Sequence, residues 1–122
     1  MRDMPELLER WAGWAKTESN GTDYSSIAAG FKGLLPQISK MGPICSDDDG
    51  LIIESCLAKL KSKRPDEHKL IVLYYFHKIS KRKLAKRAHC DEKMIRIQIQ
   101  MAEGFIDGCL SMLDVKLDMD WR

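Results

Sequence analysis

Long apolar runs are missing from this 122-residue sequence. Its longest uncharged stretches, residues 24–31 and 70–77, hold eight residues each. A membrane-spanning helix needs about 18 or more apolar residues, so that class is excluded. The opening Met1-Arg2-Asp3-Met4-Pro5-Glu6 carries acids where a secretory signal would run from basic to apolar. The expected location is therefore cytoplasmic, with reduced thiols. Four cysteines, Cys45, Cys56, Cys90 and Cys109, lie far apart and form no C-x-x-C pair. A set built from Cys45, Cys56, His89 and Cys90 has none of the usual zinc-ligand spacings, so no metal or cofactor is expected. The three histidines, His68, His77 and His89, have no nucleophile or carboxylate at a recognisable spacing. There is no glycine loop that would cradle a phosphate. An enzyme is not expected.

What is present is ordinary globular material: 44% hydrophobic and 31% charged residues, enough for one core and one domain over residues 1–122. The net charge of +2 conceals a segregation. Residues 59–96 hold 13 Lys+Arg against 4 Asp+Glu. Residues 1–58 hold 5 against 9, and residues 97–122 hold 2 against 5. A basic block between acidic flanks suits one face for a polyanion and other faces for other partners. A solvated basic helix pair would show the same bias.

Helical spacing runs almost throughout. After Pro5, Leu7, Leu8, Trp11, Trp14 and Ala15 recur on one stripe until Glu18-Ser19-Asn20-Gly21 stops the pattern. Residues 24–35 form a small-residue stretch in which Gly30 and Gly33 would let another backbone approach closely, and Pro36 ends it. Residues 37–45 read as a loop. Ser46 opens the next helix with Asp47, Asp48 and Asp49 in its first turn, a capping-box spacing that also suits the helix dipole. A calcium loop would need further ligands at alternating positions. Ile52, Ile53, Cys56, Leu57 and Leu60 make the apolar stripe, and residues 61–65 break it.

The second half carries the functional pattern, a helix-turn-helix arrangement over about residues 66–113. Residues 66–76 form an apolar helix and His77-Lys78-Ile79 a break. Ser80 caps a short helix with Leu84 and Ala85 inward. A second break at Ala88-His89-Cys90 leads to Asp91, the expected cap of a long helix with Ile95, Ile99, Ala102, Ile106, Leu110 and Leu113 inward. A short helix with a small inner residue, a capped turn and a longer helix with a polar outer face are the grammar of that motif. Lys93, Arg96, Ile97 and Gln100 then project outward, where Lys93 and Arg96 reach phosphates or guanine edges and Gln100 can pair with adenine. Lys81, Arg82 and Lys83 begin the preceding helix, where phosphate is typically met, and Lys86 and Arg87 extend the basic surface.

The fold class expected is all-α, a small helical domain whose helix-turn-helix resembles region 4 of bacterial sigma factors. That family usually carries glycine in the first turn, where this chain has His77-Lys78. A wider resemblance rests on Leu8-Glu9-Arg10-Trp11, the eleven residues 25–35 (SSIAAGFKGLL), Asp47-Asp48-Asp49, Leu57-Ala58-Lys59-Leu60-Lys61, Ala102-Glu103-Gly104 and Leu117-Asp118-Met119-Asp120. In this order they resemble the Q late antiterminators of lambdoid phages, in the branch typified by phage 21.

The resemblance implies a DNA-binding transcription antiterminator acting in the bacterial host cell. Such proteins bind double-stranded DNA at a Q-binding element near the late promoter. They load onto host RNA polymerase holding sigma factor at a promoter-proximal pause and narrow its RNA exit channel. Nascent RNA and a second copy on the DNA are further partners the resemblance admits. The alternative is a helix-turn-helix promoter-binding regulator that never travels with polymerase.

Overall fold

The computed structural model describes residues 2–17, 24, 27 and 43–120. Most of the 24–35 stretch, including Gly30 and Gly33, lies outside the described residues, as does the loop up to residue 42. Among the described residues every regular element is helical. They are α1 (Met4–Thr17), α2 (Asp47–Lys63), α3 (Pro65–Ile71), α4 (Lys81–Ala88) and α5 (Glu92–Leu113), with a 3₁₀ turn at Asp118–Asp120.

The long α5 is the central rod. Ile95, Ile99, Ala102, Ile106 and Leu110 recur every three or four residues, which puts all five on one buried stripe against α2, α3 and α4. Leu113 leaves that stripe. It is 54% exposed at the last residue of the helix, where Asp114 follows in the left-handed conformation.

α3 does not run on as an α-helix through residue 76. Val72–Phe76 widens into a π-turn, with the His77 N–H donating to the Val72 carbonyl at 3.0 Å. The Ile79 N–H closes the exit on Leu73 O, also at 3.0 Å, and Lys78 takes φ 60°. An α-helix sets successive side chains about 100° apart, yet Ile71, Val72, Leu73 and Tyr75 are all buried. The wider turn re-aims them so that one short segment is covered from several sides, including by α1.

Aromatic and carboxylate side chains tie the elements together. Trp11 of α1, Tyr24 and Phe76 form a ring cluster with centroids 5.1–6.3 Å apart. Glu54 of α2 accepts from Trp11 Nε1 at 3.0 Å and from the Tyr24 hydroxyl at 2.7 Å. Burial and that carboxylate hold the Tyr24 hydroxyl well above the usual tyrosine range. Gly50 is where α1 and α2 meet, since a Cβ there would lie 2.4 Å from the Trp14 ring.

Two expected caps differ from their sequence reading. Ser46 does cap α2, accepting from the Asp49 N–H at 3.2 Å. Asp49 does not complete a capping box. Its buried carboxylate accepts instead from the Asp118 and Met119 N–H groups at 2.7 and 3.1 Å, joining the start of α2 to the C-terminal turn. Asp91 holds the N-cap position of α5 in extended backbone, but its side chain makes no capping hydrogen bond. Its carbonyl alone starts the helix, accepting from the Met94 N–H at 2.9 Å.

Candidate nucleic-acid interface

α4 is built to present cations. Ser80 accepts from the Lys83 N–H at 3.2 Å and starts the helix. Leu84 and Ala85 are buried against α5, which leaves the other side of the eight-residue helix to charge. Its C-terminus closes with the Cys90 N–H on Ala85 O at 3.0 Å and His89 at φ 55°. That closure places a left-handed residue where glycine is commonest; histidine is one of the few others that take the conformation with any frequency. Only His89, Cys90 and Asp91 then separate α4 from α5.

The structure brings the sequence-predicted residues together on these two adjoining helices. Arg82, Lys83, Lys86 and Arg87 are exposed on α4, and Lys93, Arg96, Ile97 and Gln100 are exposed on the first half of α5. Lys81 differs from its neighbours. It is half-buried, with its Nζ 5.1 Å from the centroid of the Tyr74 ring. Among the described residues, no carboxylate lies within ion-pair distance of Arg82, Lys83, Lys86, Lys93 or Arg96.

Behind this surface the supports are specific. Tyr75, in the π-turn, donates a short hydrogen bond to Glu103 of α5, and burial together with that carboxylate raises the tyrosine's pKa. Lys78, in the turn before α4, bonds Glu9 of α1 at 2.6 Å. The His77 Nε2 meets the Tyr24 carbonyl at 3.0 Å. These contacts join α1, the π-turn and α5 around the approach to α4, and the sequence reading singled out none of them. Nor did it single out Met94 and Met101, which are 49% and 50% exposed beside Ile97. Their three- and four-residue spacing from Ile97 was the available signal. No group of three or more His, Cys, Asp or Glu among the described residues could hold a metal ion.

Described residues that are helical in every regular element, and that turn Arg82, Lys83, Lys86, Lys93 and Arg96 outward with no ion-paired carboxylate among them, define a small α-protein with a basic two-helix face. Residues 1–118 match the family of phage antitermination protein Q. The chain belongs to that family. Over 120 residues it is 53% identical to the probable antitermination protein Q of Acyrthosiphon pisum secondary endosymbiont phage 1, covering 98% of this chain and 81% of that relative. It is 44% identical to the prophage antitermination protein Q homolog QuuD of Escherichia coli K12, covering 98% and 94%. Among solved structures, transcription antitermination factor Q21 in complex with Q21-binding-element DNA superposes with a TM-score of 0.63 at 17% identity. That match covers 91% of each chain and is a likeness of fold.

Proposed function

We propose that this protein is a transcription antiterminator that binds duplex DNA near a phage late promoter and loads onto host RNA polymerase. The observation that carries the reading is the clustering of exposed Arg82, Lys83, Lys86, Lys93 and Arg96 on α4 and the head of α5. Membership of the antitermination protein Q family supports it, as does the fold shared with a factor solved on its DNA element. In this reading the head of α5 enters the major groove. Arg96 and Lys93 meet guanine edges or phosphate, and Gln100 pairs with adenine. Arg82, Lys83 and Lys86 hold the sugar-phosphate backbone and set the register. The acidic flanks outside residues 59–96 are left for polymerase holding sigma factor. Once loaded at a pause in the bacterial host's cytoplasm, the protein narrows the RNA exit channel so that terminator hairpins form too late. It does this by binding alone, without catalysis.

The test is transcription in vitro from a phage late promoter, with purified host polymerase and a downstream intrinsic terminator. Readthrough that depends on both this protein and promoter-proximal DNA is the expected result. Altered initiation with unchanged termination would replace the reading with that of a promoter-bound regulator.

A further inference from the structure

One exposed line on the head of α5 is not charged. Met94, Ile97 and Met101 are 49%, 38% and 50% exposed, three and four residues apart, and so line one side of the helix. That side faces away from the buried Ile95, Ile99 and Ala102. The apolar strip is bordered by Lys93 and Arg96, and the neighbouring α4 adds the exposed Arg82 and Lys83. A polyanion that also offers apolar groups complements both the strip and its cationic border.

We infer that Met94 and Ile97 read thymine C5-methyl groups in the major groove of duplex DNA, with Met101 extending the contact outward. The inference rests on the DNA-binding reading above and adds to it which atoms are read. Thymine is the base that presents a methyl group to the major groove, where an α-helix fits. RNA offers neither, since uracil lacks the methyl and the A-form major groove is deep and narrow. Met94 and Met101 lie about 10.5 Å apart along the helix axis at 1.5 Å per residue, so the strip can follow about three base-pair steps of 3.4 Å. The leading residues of a groove-bound helix approach the base edges, which places Met94 and Ile97 on the bases and Met101 towards the rim. A rigid β-branched Ile97 beside flexible methionines combines a fixed contact with adaptable ones.

The experiment begins by selecting binding sites from a random-sequence duplex pool with the wild-type protein. Each thymine of the selected site is then replaced singly by deoxyuridine, which keeps every hydrogen-bonding group and removes only the methyl. At one or two positions the replacement should weaken wild-type binding about three- to tenfold. The same replacement should change the affinity of Ile97→Ala by less than about twofold, since one of the contacting groups is already gone. The wild-type measurement needs no variant to fold. Tight, selective binding that is indifferent to every deoxyuridine overturns the inference and leaves DNA binding standing. Failure to select any duplex overturns both readings. If Ile97→Ala keeps full methyl sensitivity while the free protein sediments at a lower mass than wild type, the strip joins copies of the chain and the inference is wrong.

Discussion

Two populations stand out among the described cations of this protein. Away from α4 and the head of α5, four of them are committed to carboxylates. Arg2 pairs with Asp120 at 3.0 Å, Arg10 with Glu6 at 3.1 Å, Arg64 with Glu67 at 3.0 Å and Lys78 with Glu9 at 2.6 Å. On the basic face, Arg82, Lys83, Lys86, Lys93 and Arg96 have no such partner among the described residues. The first population joins elements: Arg2 ties the start of the chain to its C-terminal turn, and Lys78 ties α1 to the approach to α4. The second makes no ion pair within the fold among the described residues. A charge that the fold does not use is available to an external anion, and a row of them gives binding that weakens with salt. The difference teaches which substitutions should move stability and which should move only DNA affinity.

The strongest way to test that division is on the structural side. Trp11 is fully buried, packs edge-on against Tyr24 and tilted against Phe76, and donates to Glu54. Trp11→Ala should cost about 3–5 kcal/mol in chemical denaturation. A loss below about 1 kcal/mol would mean the aromatic cluster is not the joint described above. The two kinds of glycine give a finer contrast. Gly50→Ala drives a Cβ into the Trp14 ring and should cost about 1–3 kcal/mol. Gly104→Ala, on an open face of α5 with nothing within 4 Å, should stabilise by about 0.5–1 kcal/mol. The same measurement on both variants checks the sign.

Binding and stability separate at Arg96. Arg96→Ala should weaken specific DNA binding by about 1–3 kcal/mol and relax the base preference at one position. Its unfolding free energy should stay within about 0.5 kcal/mol of wild type, as for other exposed positions. A gel-shift titration and a denaturation curve on one preparation decide it. A fall in both would place Arg96 in the first population.

Much of this division was legible in the sequence, because it depends on periodicity within single elements. Ser46 and Ser80 stand at helix starts, the stripe of Ile95 to Leu110 marks the buried side of α5, and the outward positions of Lys93, Arg96 and Gln100 follow by subtraction. What periodicity could not supply are ties between distant segments. Asp49 looked like a local cap and is a partner of Asp118 and Met119. Asp91 has the right residue type for a cap, but its side chain makes no capping hydrogen bond. The π-turn was hidden because a run of apolar residues does not say how many sides will be covered. Met94 and Met101 carry no charge and interrupt no helical pattern, so nothing in the sequence apart from their spacing from Ile97 marks them as exposed.

Acid should act on the structural side and leave the basic face charged. His68 is buried, and burial, reinforced by Lys61, holds its pKa below the ordinary 6.5. The unfolded chain therefore takes up a proton near pH 6.5 that the folded chain refuses, so stability falls as pH drops below that value. Above it both states are neutral and the residue contributes no pH dependence. Melting temperature should decline between about pH 7 and about pH 5.5, and His68→Phe should flatten that window. Asp120, held low by Arg2, contributes to a separate loss in stronger acid, because its stabilisation disappears as pH falls through its depressed folded value. An unchanged slope in the His68 variant would assign the decline to other groups.

The smallest effect lies within the basic face itself, between Lys81 and Lys83. In the proposed function both serve phosphate, but Lys81 sits over the Tyr74 ring, whereas the Lys83 ammonium has no ion-pair partner among the described residues. Neutralising either should weaken specific and random DNA alike and lower the log–log salt slope by about one unit. They should part in stability. Lys81→Ala gives up a cation–π contact of about 0.5–1 kcal/mol at a partly exposed site, whereas Lys83→Ala should leave the unfolding free energy unchanged. The pair thus grades the comparison within a single helix turn, with one cation shared between fold and ligand and the other given to the ligand. Salt titrations and denaturation curves for the two variants measure it. Equal stability would return Lys81 to the unpaired population, and a DNA loss confined to one sequence would make either lysine a reader of bases.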